Sequence, residues 1–286
     1  MPLISVIMSV YNDEKNLPEA VESILNQTFG DFEFIITEDC SKDKSLKLLR
    51  DYASKDKRIV LVENKENLKL TKNLNSMLGI AKGDLIARMD SDDISLPERF
   101  EKQVKIFKYN PEIDFVFTST MLMDNEGNDL CESWRPNDIR KILDHMKYDS
   151  YIPHPTIMAK KDIFAKAGNY TEIKGYGQED KELWEKFIAN GVSFYYLNEI
   201  LLRYRLNPSG ISFNVRNYSK DEIYSYKKVN ICIDNYQRVR AVQVYKNISG
   251  SIPLKYKLML LIKFFTPNKL RFYKSVLVKK LHSKKA

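Results

Sequence analysis

The sequence predicts an α/β fold in which a mostly parallel sheet is flanked by helices and followed by a helical C-terminal extension. Strand-like and helix-like patterns alternate four times in about ninety residues, which indicates parallel strands joined by right-handed crossovers. The strand patterns are nearly continuous apolar runs, as is typical of strands buried on both faces of a sheet. An apolar content of 43% over 286 residues suffices for a sizeable core and excludes a disordered chain.

The first strand is predicted over residues 3–10, and Asn12 or Asp13 is the expected cap of the helix that follows. Three helices are predicted from apolar residues at helical spacing. These residues are Leu17, Val21, Ile24 and Leu25, then Leu46, Leu49 and Ala53, then Leu74, Met77, Leu78 and Ala81. Further strands are predicted at 34–36, 59–62 and 85–89, and Gly83 is expected to end the third helix.

The second part of the chain is less regular. Helices are predicted on Phe100, Val104 and Phe107, over 179–190 with Gly191 as the closing residue, and from about residue 219 onward. Strands are predicted at 115–121, 156–159, 193–197 and 201–205.

Polar residues follow three of the predicted strands at the point where each strand ends. They are Tyr11-Asn12-Asp13, Glu38-Asp39 and the segment from Asp90 to Asp93. Ligands bind beyond the carboxyl ends of the strands in parallel sheets. We therefore expect these side chains to converge on one site.

The segment 85–93 is the most informative, because an apolar run ends at three carboxylates within four residues, Asp90, Asp92 and Asp93. Like charges packed this closely repel one another unless a cation neutralises them. Carboxylate oxygens suit Mg²⁺ or Mn²⁺, and such ions keep positions open for substrate phosphates. The alternative is a solvated acidic turn that caps the helix beginning near Pro97.

Four segments in this order resemble glycosyltransferase family 2, the inverting enzymes of the GT-A (Rossmann-like) fold. They are Ser5-Val6-Ile7-Met8-Ser9-Val10-Tyr11-Asn12, Glu38-Asp39-Cys40-Ser41-Lys42-Asp43, Ala87-Arg88-Met89-Asp90-Ser91-Asp92-Asp93, and Gln178-Glu179-Asp180 with Leu183-Trp184. The resemblance spans about residues 3–212. It implies a transferase domain over 1–212, with a nucleotide-binding half (1–95) and an acceptor half (96–212), and an extension over 213–286.

On the donor side, the resemblance implies that Asp39 accepts the base N–H of a uracil, a suitable task for an acceptor-only carboxylate. Capping the following helix is its alternative role. Tyr11 and Asn12 would line the same pocket. Arg88 would either face the diphosphate or form an ion pair with Asp90 or Asp93.

Asp90-Ser91-Asp92 matches the family's D-x-D motif. The resemblance implies that Asp92 binds the metal directly, while Asp90 contacts the ribose or the water around the metal. Asp93 would support the site or cap a helix. The ion, Mn²⁺ or Mg²⁺, would stabilise the departing nucleoside diphosphate.

On the acceptor side, Asp180 is the expected general base. Glu179 and Asp180 open a predicted helix, whose positive end stabilises carboxylates, after a flexible segment, Gly175-Tyr176-Gly177. The alternative is that both are ordinary acids of a first helical turn. His154, within Ile152-Pro153-His154-Pro155-Thr156, also matches a family segment and is expected near the acceptor, unless it is structural.

One departure from the family pattern concerns the stretch Tyr204-Arg205-Leu206-Asn207. Members often carry Tyr-Arg-x-His here, so Asn207 stands where a histidine would complete the metal or diphosphate site. Asn is a neutral and weaker ligand. Arg203, Arg205 and Ser209 are expected to reach the diphosphate.

Charge is concentrated in the C-terminal tail, since residues 251–286 contain ten Lys or Arg and no Asp or Glu. Removing these ten from the chain's 46 basic residues leaves 36 against 38 acidic ones, a net charge of −2. This argues against nucleic-acid binding by the body. The tail, 254–265 and 270–281 separated by Pro267, is expected either to lie on an anionic membrane surface or to pack on the body.

The leading hypothesis is an inverting, metal-dependent glycosyltransferase that moves a sugar from a nucleotide sugar, UDP-linked by expectation, to a glycan or lipid-linked oligosaccharide. A sugar-phosphate nucleotidyltransferase is disfavoured because residues 9–14 lack the glycines that cradle a triphosphate. A non-catalytic partner subunit is the third reading. Three scattered cysteines and the absence of a signal-peptide pattern predict a cytoplasmic protein, either free or peripheral on the inner face of the cell membrane.

Overall fold

The structure is a computed structural model and describes residues 1–133, 135–146, 152–172, 179–208, 220–234 and 238–265. The glycine-rich segment 175–177, Ser209 and the second expected tail helix, 270–281, lie outside the described residues, as does the boundary at 212.

The first half is a parallel sheet with helical crossovers, which confirms the predicted fold class. Its elements are β1 (Ile4–Val10), α1 (Leu17–Leu25), β2 (Phe32–Glu38), α2 (Ser45–Lys55), β3 (Ile59–Glu63), α3 (Lys69–Ile80) and β4 (Leu85–Arg88). The strands are ordered β3-β2-β1-β4, and each neighbouring pair is parallel.

The chain between β1 and α1 differs from the prediction, because neither Asn12 nor Asp13 caps the helix. Asn16 occupies the cap position, although its side chain accepts no capping hydrogen bond from the helix. The side chain of Asn12 instead accepts the N–H of Lys42, at a residue with φ of 52°. The carboxylate of Asp13 is turned toward the strand ends, where it accepts the hydroxyl of Ser91.

Gly83 lies where the chain passes directly over β1 on its way from α3 to β4. A Cβ atom at this position would come within 2.5 Å of the backbone nitrogen of Ser5. The Gly83 N–H donates to Ser5 Oγ at 2.8 Å. The close approach thus requires glycine here and sets the start of β4 beside β1.

The second half extends the same sheet with antiparallel and parallel strands. Its elements are β5 (Ile94–Ser95), α4 (Arg99–Tyr109), β6 (Phe115–Met123), β7 (Asp129–Glu132), α5 (Ile139–His145), β8 (Met158–Lys160), α6 (Asp162–Ala167), α7 (Glu179–Ala189) and β9 (Phe194–Arg205). The order continues β4-β8-β6-β9-β5, with β7 paired to β6. β8 is antiparallel to both of its neighbours, whereas β9 is parallel to β6.

Two strand predictions in this half need correction. The strands expected at 193–197 and 201–205 form one strand, β9, whose register against β6 shifts between Thr118 and Thr120. The strand expected at 156–159 begins only at Met158, because His154–Thr156 forms a 3-10 turn. The register shift between β9 and β6 accommodates the polar residues 198–199, which break the apolar pattern of β9.

Helices cover both faces of the sheet. Leu17, Val21 and Ile24 of α1 pack with Phe100 of α4 against one face. Leu74 and Met77 of α3 pack against the other face, together with residues of α7, namely Leu183, Trp184 and Phe187. Helix α7 closes at Gly191 as predicted, with φ of 71° and with the Val192 N–H donating to the Phe187 carbonyl.

Within the described residues, three α-helices follow the sheet, namely α8 (Lys220–Asp234), α9 (Arg238–Ile248) and α10 (Leu254–Phe265). They share a third apolar cluster with β6 and β7, which includes Leu122, Leu130, Leu206, Cys232 and Leu260. No helix in the described part of the chain is both long enough and apolar enough to cross a membrane.

Candidate active site

The ends of β1, β2 and β4 bring the predicted polar clusters to one edge of the sheet. Val10 lies opposite Glu38, and Ile7 lies opposite Arg88. The residues that follow these strands are consequently neighbours. The Asn12 N–H donates to Ser41 Oγ at 3.0 Å, which ties the first two strand ends together.

Asp90, Asp92 and Asp93 form a compact acidic cluster whose ligand oxygens all lie within 4.8 Å of one another. Burial, together with the charges of Asp90 and Asp13, raises the pKa of Asp92 to about 7. The pKa of Asp93 is also raised, by burial and then by its two acidic neighbours. One oxygen of Asp93, Oδ2, is buried without a hydrogen-bond partner among the described residues. Three hard oxygen donors and an unpaired buried oxygen fit a divalent cation such as Mn²⁺ or Mg²⁺.

Arg88, for which two roles were open, forms an ion pair with Asp90 through both of its terminal nitrogens. Its side chain is buried. The guanidinium therefore lies behind the acidic cluster and balances part of its charge, and this arrangement corresponds to the ion-pair alternative.

Arg205 also differs from the expectation, because its guanidinium is engaged within the protein. It donates to the Asp92 carbonyl at 2.8 Å and to Asn125 O, and it forms an ion pair with Glu19 at 2.6 Å. Its backbone N–H donates to Asp93 Oδ1 at 2.8 Å. Arg205 is thus a positioning residue for the acidic loop, and Arg203 is similarly engaged with Asp129.

Asn207 lies directly beside the acidic cluster. Its Nδ2 donates to Asp92 Oδ2 at 2.9 Å. In this arrangement the amide holds one oxygen of Asp92 by hydrogen bonding. The structure therefore places Asn207 next to the predicted metal ligand, with its nitrogen toward the carboxylate.

Asp39 is buried at the end of β2, and both of its oxygens accept hydrogen bonds. Oδ1 accepts from Asn64 Nδ2 and from the Leu68 N–H, and Oδ2 accepts from the Lys69 N–H. The two backbone donors lie at the start of α3, so the helix that Asp39 caps is α3 and not the one that follows Asp39 in sequence. Each carboxylate oxygen has two lone pairs, which leaves acceptor capacity on Oδ2 for a ligand.

Asp13, which belongs to the polar cluster predicted at the end of the first strand, and Arg99, which was not predicted, support the same edge. Asp13 accepts from Ser91 Oγ and from Asn16 Nδ2, both at 2.7 Å, and burial raises its pKa to about 6. Arg99 is buried and donates to the carbonyls of Arg88 and Ile157, which joins the end of β4 to the segment before β8. The position of Asp13 directly after β1 predicted its place at this edge, whereas nothing in the local sequence indicates that Arg99 turns inward.

Asp180 lies in the first turn of α7 and is half-buried. Burial is the main cause that raises its pKa to about 6, and the charge of Glu179 contributes, while the charge of Arg88 lowers it. The only partner of its carboxylate among the described hydrogen bonds is the N–H of Lys181, which donates to Oδ1 at 2.6 Å. A carboxylate with a near-neutral pKa and free lone pairs is suited to accept a proton.

His154 is buried beneath α7 and is not in a position to meet solvent. Its Nε2 lies 2.7 Å from Tyr170 Oη, and its ring packs edge-on against Trp184 at 5.6 Å. Burial and the nearby charge of Arg88 hold its pKa well below the usual range, so the imidazole is neutral. This corresponds to the structural alternative, in which His154 supports the helix that carries Asp180.

Comparison with known proteins identifies the family of the chain. The model of the family "Glycosyl transferase family 2" matches residues 5–129. An uncharacterised glycosyltransferase of Methanocaldococcus jannaschii is 38% identical over 229 residues, which cover 79% of this chain and 77% of that protein. The O-antigen biosynthesis glycosyltransferase WbnJ of Escherichia coli is 34% identical over 233 residues, which cover 80% of this chain and 89% of WbnJ.

Two solved structures share the fold. The S. aureus protein TarS in complex with UDP-GlcNAc aligns with a TM-score of 0.61 at 17% identity and covers 88% of this chain and 82% of that one. The mannosyltransferase PcManGT of Pyrobaculum calidifontis, in complex with GDP-Man and Mn²⁺, aligns with a TM-score of 0.60 at 15% identity and covers 97% and 85%.

Proposed function

The chain belongs to glycosyltransferase family 2 and is a glycosyltransferase, and we propose that it is an inverting, metal-assisted enzyme with Asp180 as the general base. The donor is a nucleotide sugar, UDP-linked, that binds at the edge formed by β1, β2 and β4. The acceptor is a hydroxyl of a glycan or a lipid-linked oligosaccharide.

One observation carries this proposal: the charge of the buried Arg88 acts on two unlike carboxylate sites. Arg88 forms an ion pair with Asp90 on the donor side. Its charge also lowers the pKa of Asp180, at the start of α7. Arg88 thus pairs with the acidic cluster and also acts electrostatically on Asp180, and we infer that the donor and acceptor carboxylates lie on different sides of it, as an inverting transfer requires.

Asp180 would take the proton of the acceptor hydroxyl while the oxygen of that hydroxyl attacks the anomeric carbon of the donor. The bond from that carbon to the diphosphate oxygen breaks, and its electron pair leaves with the nucleoside diphosphate. Attack from the face opposite the leaving group inverts the configuration. When bound at Asp92 and its neighbours, the divalent ion supplies positive charge that stabilises the diphosphate. Asn207 and Arg205 hold the acidic loop in place through Asp92 and Asp93.

The choice of UDP is supported by Asp39. Its Oδ2 has one protein donor and keeps acceptor capacity for an imide N–H, the group that uracil presents. TarS, which shares the fold, binds UDP-GlcNAc, whereas PcManGT binds GDP-Man. A guanine base also carries a ring N–H, so a direct comparison of the two nucleotides is the appropriate test.

The relative WbnJ is named for O-antigen biosynthesis, and another relative, 30% identical, is named for amylovoran biosynthesis. These names support a role in the synthesis of a surface polysaccharide. The three scattered cysteines support a reducing, cytoplasmic location.

The experiment that tests this function is a transfer assay with UDP- and GDP-sugars and alkyl-linked monosaccharide acceptors in the presence of Mn²⁺. Proton NMR of the product reads the anomeric configuration. The proposal expects UDP-dependent transfer with inversion. Transfer with retention would contradict the assignment of Asp180. Binding of UDP-sugars without any transfer by the native chain would favour a non-catalytic partner subunit.

A further inference from the structure

Helix α10 carries an apolar face that no other part of the described chain covers. Six of its side chains are exposed, and they amount to half of the twelve large exposed apolar side chains among the described residues. They are Leu254 (73% exposed), Leu258 (54%), Met259 (44%), Leu261 (56%), Ile262 (67%) and Phe265 (73%). Contiguous apolar surface of this kind is unusual on a monomeric protein and marks an interaction site.

The exposed residues form a stripe along the helix axis. Leu254, Leu258, Leu261, Ile262 and Phe265 follow the spacing that places residues on one side of a helix with 3.6 residues per turn. The opposite side of α10 is the one that attaches it to the protein. There Leu260 is buried in the C-terminal cluster, and Lys263 forms an ion pair with Asp234 and donates to Asn230 of α8.

Positive charge lines both edges of the stripe. By the same geometry, Lys255 lies on one side of it and Lys257 on the other. The charge extends along the sequence, since no Asp or Glu follows Asp234 while thirteen Lys or Arg do. Lysines of this kind can extend their charged ends to a polar surface while apolar neighbours insert beneath.

We propose that α10 docks this chain on an anionic lipid surface, with the stripe inserted between headgroups and the flanking lysines attracted to lipid phosphates. An amphipathic helix with an apolar face and basic edges binds such an interface both by burying apolar surface and by electrostatic attraction to anionic lipids. This inference does not depend on the proposed donor, base or acceptor.

Charge complementarity favours this occupant over the alternatives. In a symmetric contact between two copies of α10, Lys255 and Lys257 of both chains would be brought together, and α10 itself has no acid to balance them. A nucleic acid would satisfy the lysines, but its phosphate backbone offers nothing to five exposed apolar side chains. An anionic membrane satisfies both features at once.

The test is flotation of the full chain with vesicles of phosphatidylcholine alone and of phosphatidylcholine mixed with phosphatidylglycerol. The native chain is expected to float with the anionic vesicles and to be released by high salt. The variant Leu258→Gln/Ile262→Gln should lose about tenfold or more of this partitioning. A smaller loss is expected for Lys255→Gln/Lys257→Gln. The matched control is Val242→Gln, which alters an exposed apolar residue (40%) on neighbouring α9 and should float like the native chain.

The four substituted residues of α10 lie outside its buried face, so thermal melting by circular dichroism should show all variants folded. Absence of flotation by the native chain with anionic vesicles would overturn the proposal. So would equal flotation of the Leu258→Gln/Ile262→Gln variant. Sedimentation velocity supplies the remaining outcome. A native dimer that this variant converts to monomer, with no change in vesicle binding, would assign the stripe to a second copy and also overturn it.

Discussion

The carboxylates at the strand ends and the carboxylate at the start of α7 are held in opposite ways. Asp93 is fully buried and receives the backbone N–H of Arg205, and Asp92 is held by the amide of Asn207. Asp180 is half-buried on a helix and receives only the adjacent N–H of Lys181 among the described hydrogen bonds. The first arrangement fixes oxygens in space, as an ion and a diphosphate require. The second leaves lone pairs available, as a base requires.

The contacts that support the two regions differ as well: they are polar beneath the acidic loop and aromatic beneath α7. The acidic loop rests on polar contacts from Arg88, Arg99 and Arg205. Helix α7 instead packs its own Trp184 against His154, which is hydrogen-bonded to Tyr170. We therefore expect changes in the acidic loop to affect nucleotide binding, and changes at Asp180 to affect turnover alone.

The largest effect is expected for Asp180→Asn. It removes the proton acceptor while preserving shape, so kcat should fall by about 10²- to 10⁴-fold with the KM for the donor unchanged. Steady-state kinetics with a fixed acceptor measures this. Glu185→Gln, an exposed acid on the same helix, is the control and should retain native turnover. A loss in donor affinity equal to the loss in kcat would contradict the separation of the two regions.

The second largest effect is expected for the Mn²⁺ affinity of Asn207→Ala. Without the amide, Asp92 loses the hydrogen bond that positions its oxygen, and the affinity for Mn²⁺ should fall by about 10- to 100-fold. Activity measured as a function of Mn²⁺ concentration reports this change. Asn198→Ala, at an exposed position of β9, should leave the metal dependence unaltered. Asn207→His should bind Mn²⁺ more tightly than the native chain if the site accepts a ring nitrogen in place of the amide.

The pH dependence provides a third comparison. Asp180 must be deprotonated to act, and its pKa is raised to about 6, so kcat/KM should fall as pH decreases through 6, by about tenfold per pH unit. Glu179→Gln removes a like charge that raises this pKa, and the acid limb should therefore move to lower pH. A limb that moves to higher pH in this variant would show that another group controls it.

The smallest effect is expected for Tyr170→Phe, which removes the hydrogen bond to His154 without changing shape. The free energy of unfolding should fall by about 1 kcal/mol, as read from urea denaturation. The kcat should remain near native, since both side chains are buried away from solvent. Tyr109→Phe, at an exposed tyrosine, is the control for stability. A large loss of activity with unchanged stability would give His154 a direct role instead.

Much of the fold could be predicted from local patterns, because buried parallel strands leave long apolar runs such as residues 4–10. The convergence of Asp39 and Asp92 at one edge follows from topology alone. The antiparallel insertion of β8 between β4 and β6 could not be predicted, since a three-residue strand leaves almost no periodic signal. Partners of long side chains were equally out of reach. Arg205 contacts Glu19 across 186 residues of sequence, and no local rule connects them.

The central claim is that the acidic cluster binds the nucleotide through a metal while Asp180 acts only in the chemical step. Calorimetric titration of UDP, with and without Mn²⁺, into the native chain, Asp92→Asn and Asp180→Asn tests this most directly. We predict Mn²⁺-dependent binding by the native chain, loss of that binding in Asp92→Asn, and native affinity in Asp180→Asn. Native binding by Asp92→Asn, or its loss in Asp180→Asn, would contradict the account.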